Sequence, residues 1–193
     1  MSGPEHRIGL RALAHAVGTL VTPLAFTPRP SAACGQVYRS ASRRRGIKPL
    51  ADVYLPDGPG PHPSVVLVHG GGFLIGSRGM KPMRFLATRL CEAGYAVATF
   101  DYRMIFRGGR LDESVDDVRA MFTWWGAQAE RFRLDPARVS AMGLSAGATA
   151  LLLATSPRAP LPLHHVISVF AIYDLGSLGG RLPRTLARLL TRT

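Results

Sequence analysis

Two short runs of this sequence combine residue types and spacing that can do chemistry. The first is Gly143-Leu144-Ser145-Ala146-Gly147, a serine framed by glycines as Gly-x-Ser-x-Gly. It follows the apolar run Val139–Leu144 and opens the small-residue run Ala146–Ala154, so a strand, a tight turn and a helix are expected in that order. Such a turn needs small neighbours. It holds the serine in a strained conformation above a sheet, with a helix N-terminus behind it that favours negative charge.

The second run is Val68-His69-Gly70-Gly71-Gly72-Phe73, directly after the β-branched run Ser64–Val68. Three consecutive glycines let the backbone approach a ligand closely and adopt conformations closed to other residues. Their N–H groups can face an oxygen that becomes negative in a tetrahedral intermediate. One such donor contributes about 3–4 kcal/mol to a transition state. A phosphate-binding P-loop would end in Gly-Lys-Ser/Thr, and a dinucleotide fingerprint would need Gly-x-Gly-x-x-Gly running into a helix; neither is present. His69 has no neighbouring metal-ligand partner, so it reads with Gly70 as shaping the loop.

Positioning both runs requires a sheet. Gln36–Arg39, Pro49–Leu55, Ser64–Val68, Tyr95–Phe100, Val139–Leu144 and His165–Tyr173 read as strands. Met80–Ala93, Glu113–Phe132 and Ala146–Ala154 read as helices, with Gly94 ending the first and Asp112 or Ser114 capping the second. Alternation of strands and helices implies an α/β fold, with a doubly wound, mostly parallel sheet covered on both faces. Sites in such sheets lie beyond the carboxyl ends of the strands. Both motifs fall there, which requires Ser64–Val68 and Val139–Leu144 to be adjacent central strands.

The 193 residues suffice for one domain with a sizeable core, and no internal repeat is present. The 24 Lys+Arg against 12 Asp+Glu give a formal charge of +12, carried almost wholly by arginine. These arginines are dispersed, and the one run, Arg43-Arg44-Arg45, has no interleaved aromatics, so no nucleic-acid partner is expected. Cys34 and Cys91 form no metal or redox pattern, and Cys91 reads as a buried small residue. No apolar run is long enough to span a membrane.

Residues 1–33 read as a separate N-terminal arm or cap segment preceding a domain over 34–193. Arg7, Arg11 and the apolar stretch Ala12–Phe26 loosely imitate an export signal, but His15, Pro23 and Arg29 interrupt it. An amphipathic arm with Ile8, Leu10, Leu13, Val17 and Leu20 on one face is preferred, with a cytoplasmic protein as the expectation and export as the alternative. Arg181–Thr193 reads as a basic amphipathic tail.

The two motifs together resemble the α/β-hydrolase superfamily, and within it the hormone-sensitive-lipase-like esterases with a His-Gly-Gly-Gly loop. Asp101-Tyr102-Arg103, Asp135-Pro136-Ala137-Arg138-Val139 and Tyr173-Asp174-Leu175 occur in that family's order, so the resemblance runs from Gln36 to Leu175. It implies Ser145 as nucleophile, N–H donors from Gly71, Gly72 and Ala146, a small-molecule ester as substrate, and no cofactor or metal. Ala148 departs mildly, standing where many members have a second glycine.

The resemblance also implies an acid and a histidine on loops after two further strands, which this sequence lacks. His164 and His165 open a strand, about 20 Å from its carboxyl end, and cannot act as the base. Asp174 lies at the correct end but reads as structural. Two readings therefore stand: a serine carboxylic-ester hydrolase, and a catalytically incomplete fragment or pseudoenzyme whose last strand is an exposed sheet edge. The sequence leaves the oligomeric state and the ester's identity open.

Overall fold

A computed structural model describes residues 26–40, 47–155, 161–174, 185 and 188–191. The elements are β1 (Ala33–Val37), β2 (Leu50–Tyr54), β3 (His62–Val68), α1 (Lys81–Glu92), β4 (Ala96–Phe100), α2 (Leu111–Ala127), β5 (Leu134–Leu144), α3 (Ala146–Ala154) and β6 (His165–Val169). They build one sheet in the order β1-β2-β4-β3-β5-β6. β4, β3, β5 and β6 are parallel, while β2 runs antiparallel to both β1 and β4. β3 and β5 are neighbours, as the motif argument requires, with Val68 opposite Gly143.

Burial on both faces explains the continuous apolar strands. Val65 and Leu67 face α1 with Met83, Ala87 and Cys91. Val66 and Val68, pointing the other way, join Met121, Trp125, Ala150 and Leu151 of α2 and α3. The Cys91 thiol is pushed up to about 11 by that burial, and both cysteines are free. Residues 26–32 lie along α1: the Phe26 and Phe85 rings meet edge to face at 5.4 Å, and the Arg29 amide donates to Thr88 Oγ1 at 3.0 Å. The first 25 residues, carrying most of the arm, lie outside the described residues. So does most of Arg181–Thr193, although Leu190 is buried against the core.

Several boundaries differ from the sequence reading, among them the start of β5, at Leu134 rather than Val139. β1 begins three residues before Gln36. α2 begins at Leu111, so neither Asp112 nor Ser114 caps it; the Glu113 carboxylate instead accepts from the Arg110 N–H at 2.8 Å. The same helix stops at Ala127 rather than Phe132. The chain reverses through Arg133 at φ 52°, which folds Phe132 back onto Trp125 with ring centroids 5.9 Å apart. β6 ends at Val169, not Tyr173, because Phe170 takes φ 58° and the following loop is tied to α3 by the Ile172 N–H donating to Thr149 Oγ1 at 2.9 Å. Val166 and Ile167 of β6 are exposed. Among the described residues β6 is thus an edge strand with apolar side chains in water, a geometry that invites further pairing.

Trp125, the largest fully buried side chain, donates its indole N–H to the buried Ser64 hydroxyl at 3.0 Å, linking α2 to β3. Ser64→Ala should destabilise the fold by about 1–3 kcal/mol, because it strands a buried donor. Urea unfolding of this variant against wild type measures the loss.

Candidate active site

Ser145 stands at the junction of β5 and α3 with φ 51° and ψ −121°, outside the ordinary helical and extended regions. Its own amide donates to the Val169 carbonyl of β6 at 2.8 Å. Glycines flanking it are steric necessities. A Cβ on Gly147 would sit 2.2 Å from the His69 carbonyl oxygen, and one on Gly143 would sit 2.5 Å from Ala148 Cα. Ala148 itself is fully buried and accommodated, so its departure from the family pattern leaves the turn intact.

The glycine loop meets this turn directly. A Cβ on Gly70 would fall 2.9 Å from the Leu144 carbonyl oxygen and 3.2 Å from Ser145 Cβ, so only glycine allows the approach. Gly71, at φ 123°, turns the chain so tightly that its carbonyl accepts from both Leu74 and Ile75 N–H groups at 3.1 Å. Gly72 has φ 63° and open space where a side chain would stand. Ala146 opens α3; the first N–H groups of a helix have no intrahelical acceptor, so they are free to bind an external oxygen.

His69 lies beneath the loop, fully buried. Its ring stacks on Tyr102 with centroids 4.4 Å apart, and its Nδ1–H donates to the Gly70 carbonyl at 2.8 Å. That bond assigns the neutral tautomer, and burial holds the imidazole below its ordinary pKa of 6.5. Tyr102 in turn donates its hydroxyl to the His69 carbonyl at 2.8 Å. Burial pushes the Tyr102 pKa up, so the hydroxyl keeps the proton it donates.

The residues flanking Tyr102 anchor the same region. Asp101 accepts from the Arg78 amide at 2.8 Å and from its guanidinium, and Arg78 also pairs with Asp52 of β2 at 2.9 Å. Arg103 lays a bidentate guanidinium on the buried Asp117 of α2, which also pairs with Arg39 at 3.0 Å. Sequence reading placed Asp101-Tyr102-Arg103 at the end of a strand but gave these side chains no task. Their partners Arg78, His69 and Asp117 are 14 to 33 positions away along the chain, so spacing carried no signal.

Among the described residues, the histidines that open strands do not gather at Ser145. His164 and His165 stack edge to face at 4.1 Å at the start of β6, and His165 is opposite Ser140, at the far end of the parallel pairing from Leu144. His62 opens β3, also at an amino end. A largely apolar cavity of about 340 Å³, lined by Phe122, Trp125, Leu134 and Leu163 among others, lies at that same far side.

A model of the BD-FAE family matches residues 51–168, more than half of the chain and inclusive of both motifs. The chain belongs to the BD-FAE family. Isoprenylcysteine alpha-carbonyl methylesterase of Arabidopsis thaliana is 36% identical over 113 residues, covering 58% of this BD-FAE chain and 25% of the relative. Fumonisin B1 esterase of Sphingopyxis macrogoltabida is 36% identical over 115 residues, covering 52% and 21%. Among solved structures, esterase B of Lactobacillus rhamnosis superposes with a TM-score of 0.75 at 18% identity, over 94% of this chain and 63% of that one. The fold is that of the α/β-hydrolase esterases, and the BD-FAE chain spans about a quarter or less of the length of the curated relatives it matches. Among the described residues no helix is long and apolar enough to cross a membrane.

Two outcomes are expected from this arrangement. Gly147→Ala drives a methyl into the Val68 and His69 carbonyls, so α3 must shift; a cost of about 1–3 kcal/mol follows, read as a lower urea midpoint. His69 supplies the second. Its folded pKa lies below the unfolded 6.5, so the unfolded chain takes up a proton that the folded ring refuses. Its contribution to stability is full above that value and is lost as pH falls from there towards the lowered folded pKa. His69→Asn, which keeps a donor for Gly70, should remove up to about 1.4 kcal/mol per pH unit from the slope of stability between pH 6.5 and 5.5. Urea midpoints of both proteins across that range check it.

Proposed function

We propose that this chain carries the acylation centre of a serine carboxylic-ester hydrolase acting on small-molecule esters. Ser145 Oγ attacks the ester carbonyl, forming an acyl-enzyme and releasing the alcohol, and water then releases the acid. N–H groups of Gly71, Gly72 and Ala146 receive the oxyanion. The observation carrying this reading is the strained Ser145 backbone pressed against Gly70 of the glycine loop. That contact supports a hydroxyl and a set of backbone donors sharing one small patch, as acyl transfer requires. The relatives named above are esterases, and the solved esterase B structure holds a tributyrin phosphonate.

A second reading concerns the chain as it stands. Described histidines either lie at amino ends of strands or, as His69, are committed beneath the loop. A serine hydroxyl is a weak nucleophile without a base, and loss of a triad member can cost a factor of about 10⁴–10⁶. On this second reading, the 193-residue chain by itself acylates slowly.

Phosphonylation of Ser145 by an alkyl fluorophosphonate, located by peptide mass spectrometry, tests both parts. Slow labelling at Ser145 is expected, faster with added imidazole as a surrogate base and absent in Ser145→Ala. No label at Ser145 even with imidazole would refute the nucleophile. Hydrolysis of p-nitrophenyl acetate should be equal for wild type and Ser145→Ala. A Ser145-dependent turnover of about 1 s⁻¹ or more, ordinary for enzymes, would overturn the second reading.

A further inference from the structure

The Ser145 amide donates to the Val169 carbonyl at 2.8 Å, one residue past the last β5–β6 pair, Leu144 with Val169. This bond is the end rung of the ladder, where pairing opens first. It nevertheless holds a residue at φ 51° and ψ −121°. Such a backbone persists only where its surroundings over-determine it. Something beyond the rung must keep it closed.

Thr149 stands at that place. It is buried on the first turn of α3, and its amide donates to the Ser145 carbonyl at 3.1 Å. A threonine inside a helix can turn its hydroxyl back to the carbonyl four residues earlier. Thr88 does so to Arg84 at 2.8 Å, and Thr123 to Arg119 at 3.2 Å. Thr149 turns outward instead. Its Oγ1 is 3.5 Å from the Ser145 carbonyl oxygen, too long for a good O–H···O bond, and 3.2 Å from the carbonyl oxygen of Ile172. The same Oγ1 accepts the Ile172 amide at 2.9 Å. One hydroxyl thus engages both backbone groups of a residue 23 positions away. Between Val169 and Ile172 the chain reverses through Phe170 at φ 58°. The contacts close a ring that runs from Ser145 to the Val169 carbonyl, through residues 170–172 to the Thr149 side chain, and back along α3 to Ser145.

We infer that Thr149 is a positioning residue for Ser145: its hydroxyl locks the loop after β6 and so holds the nucleophile's backbone in its strained turn. The inference rests on the reading of Ser145 as the nucleophile. Without the hydroxyl, Ile172 loses its partner on α3, the end rung opens more often, and the Ser145 backbone relaxes towards an ordinary conformation. The serine side chain then moves relative to Gly70. A misplacement of about 1 Å can cost about 10²-fold in rate. Thr149 touches no reacting atom; it acts through residues 169–172.

Two measurements on the full chain test this. Labelling of Ser145 by an alkyl fluorophosphonate with imidazole reads reactivity, and amide hydrogen exchange reads the ring itself. Thr149→Val keeps a branched side chain but removes the hydroxyl, whereas Thr149→Ser keeps the hydroxyl. The valine variant should label about tenfold or more slowly. Its Ser145 amide should exchange about tenfold or more faster, while the paired Val66 and Ala141 amides at the sheet centre stay protected. Thr149→Ser should restore both readouts. Ser64→Ala, which strands a buried donor at the amino end of β3, should label like wild type wherever it is folded. Wild-type labelling or wild-type Ser145 exchange in Thr149→Val, an equal slowing in Ser64→Ala, or no recovery in Thr149→Ser overturns the inference. Should the valine variant not fold, the wild-type chain decides. Its Ser145 amide should exchange no faster than that of Ile172, after correction for intrinsic rates, because the rung opens only with the ring; faster exchange at Ser145 overturns the inference. If wild type never labels, the nucleophile reading fails, and exchange alone decides the ring by the same criteria.

Discussion

The site depends on a single backbone contact, the one between the turn after β5 and the loop after β3. Gly147 packs where any side chain would strike the Val68 and His69 carbonyls, and Gly70 packs where a side chain would strike the Leu144 carbonyl. This contact exists because β3 and β5 are parallel neighbours in a register that brings Val68 opposite Gly143. Once that register is fixed, both runs of backbone N–H groups emerge at the same sheet end. Everything else in the region either supplies this register or protects it.

Supply comes from the core. Val65 and Leu67 anchor β3 to the α1 layer while Val66 and Val68 anchor it to the α2 and α3 layer. A slip of one residue would exchange these sets and misplace the glycine loop. Protection comes from the end of β4. Asp101, Tyr102 and Arg103 point in different directions and hold Arg78, His69 and Asp117 respectively. Removing one partner of such a buried ion pair is costly because the other charge is left uncompensated. The glycine loop, flexible by composition, is thereby held by its ends and from beneath.

Strain and exposure accumulate on the outer surface of the same region. Ser145, Phe106 and Phe170 all carry positive φ at the carboxyl ends of the strands, and the apolar side chains there face water. Folding would favour neither choice. The pattern fits a stable sheet that supports a rim shaped for something other than its own stability. β6 extends this to the sheet edge formed among the described residues, where Val166 and Ile167 are exposed.

Local sequence settled more of the site than of its supports. Glycines at 70, 71, 143 and 147 and the serine at 145 act through backbone conformation and the size of adjacent side chains, properties written in a few consecutive residues; the strand-turn-helix around Ser145 was legible for that reason, α3 to its boundaries. The alternating and continuous apolar runs likewise disclosed the parallel centre of the sheet. Tertiary structure alone decided the end of α2, where packing of Phe132 on Trp125 outweighs helical periodicity, and the early end of β6, where Thr149 captures the Ile172 amide. It alone paired Arg78 with Asp52 and Asp101, and Arg39 and Arg103 with Asp117. Ion pairs and rim contacts join residues that are remote along the chain, and their energies arise only when desolvation and sheet register bring them within a few ångströms.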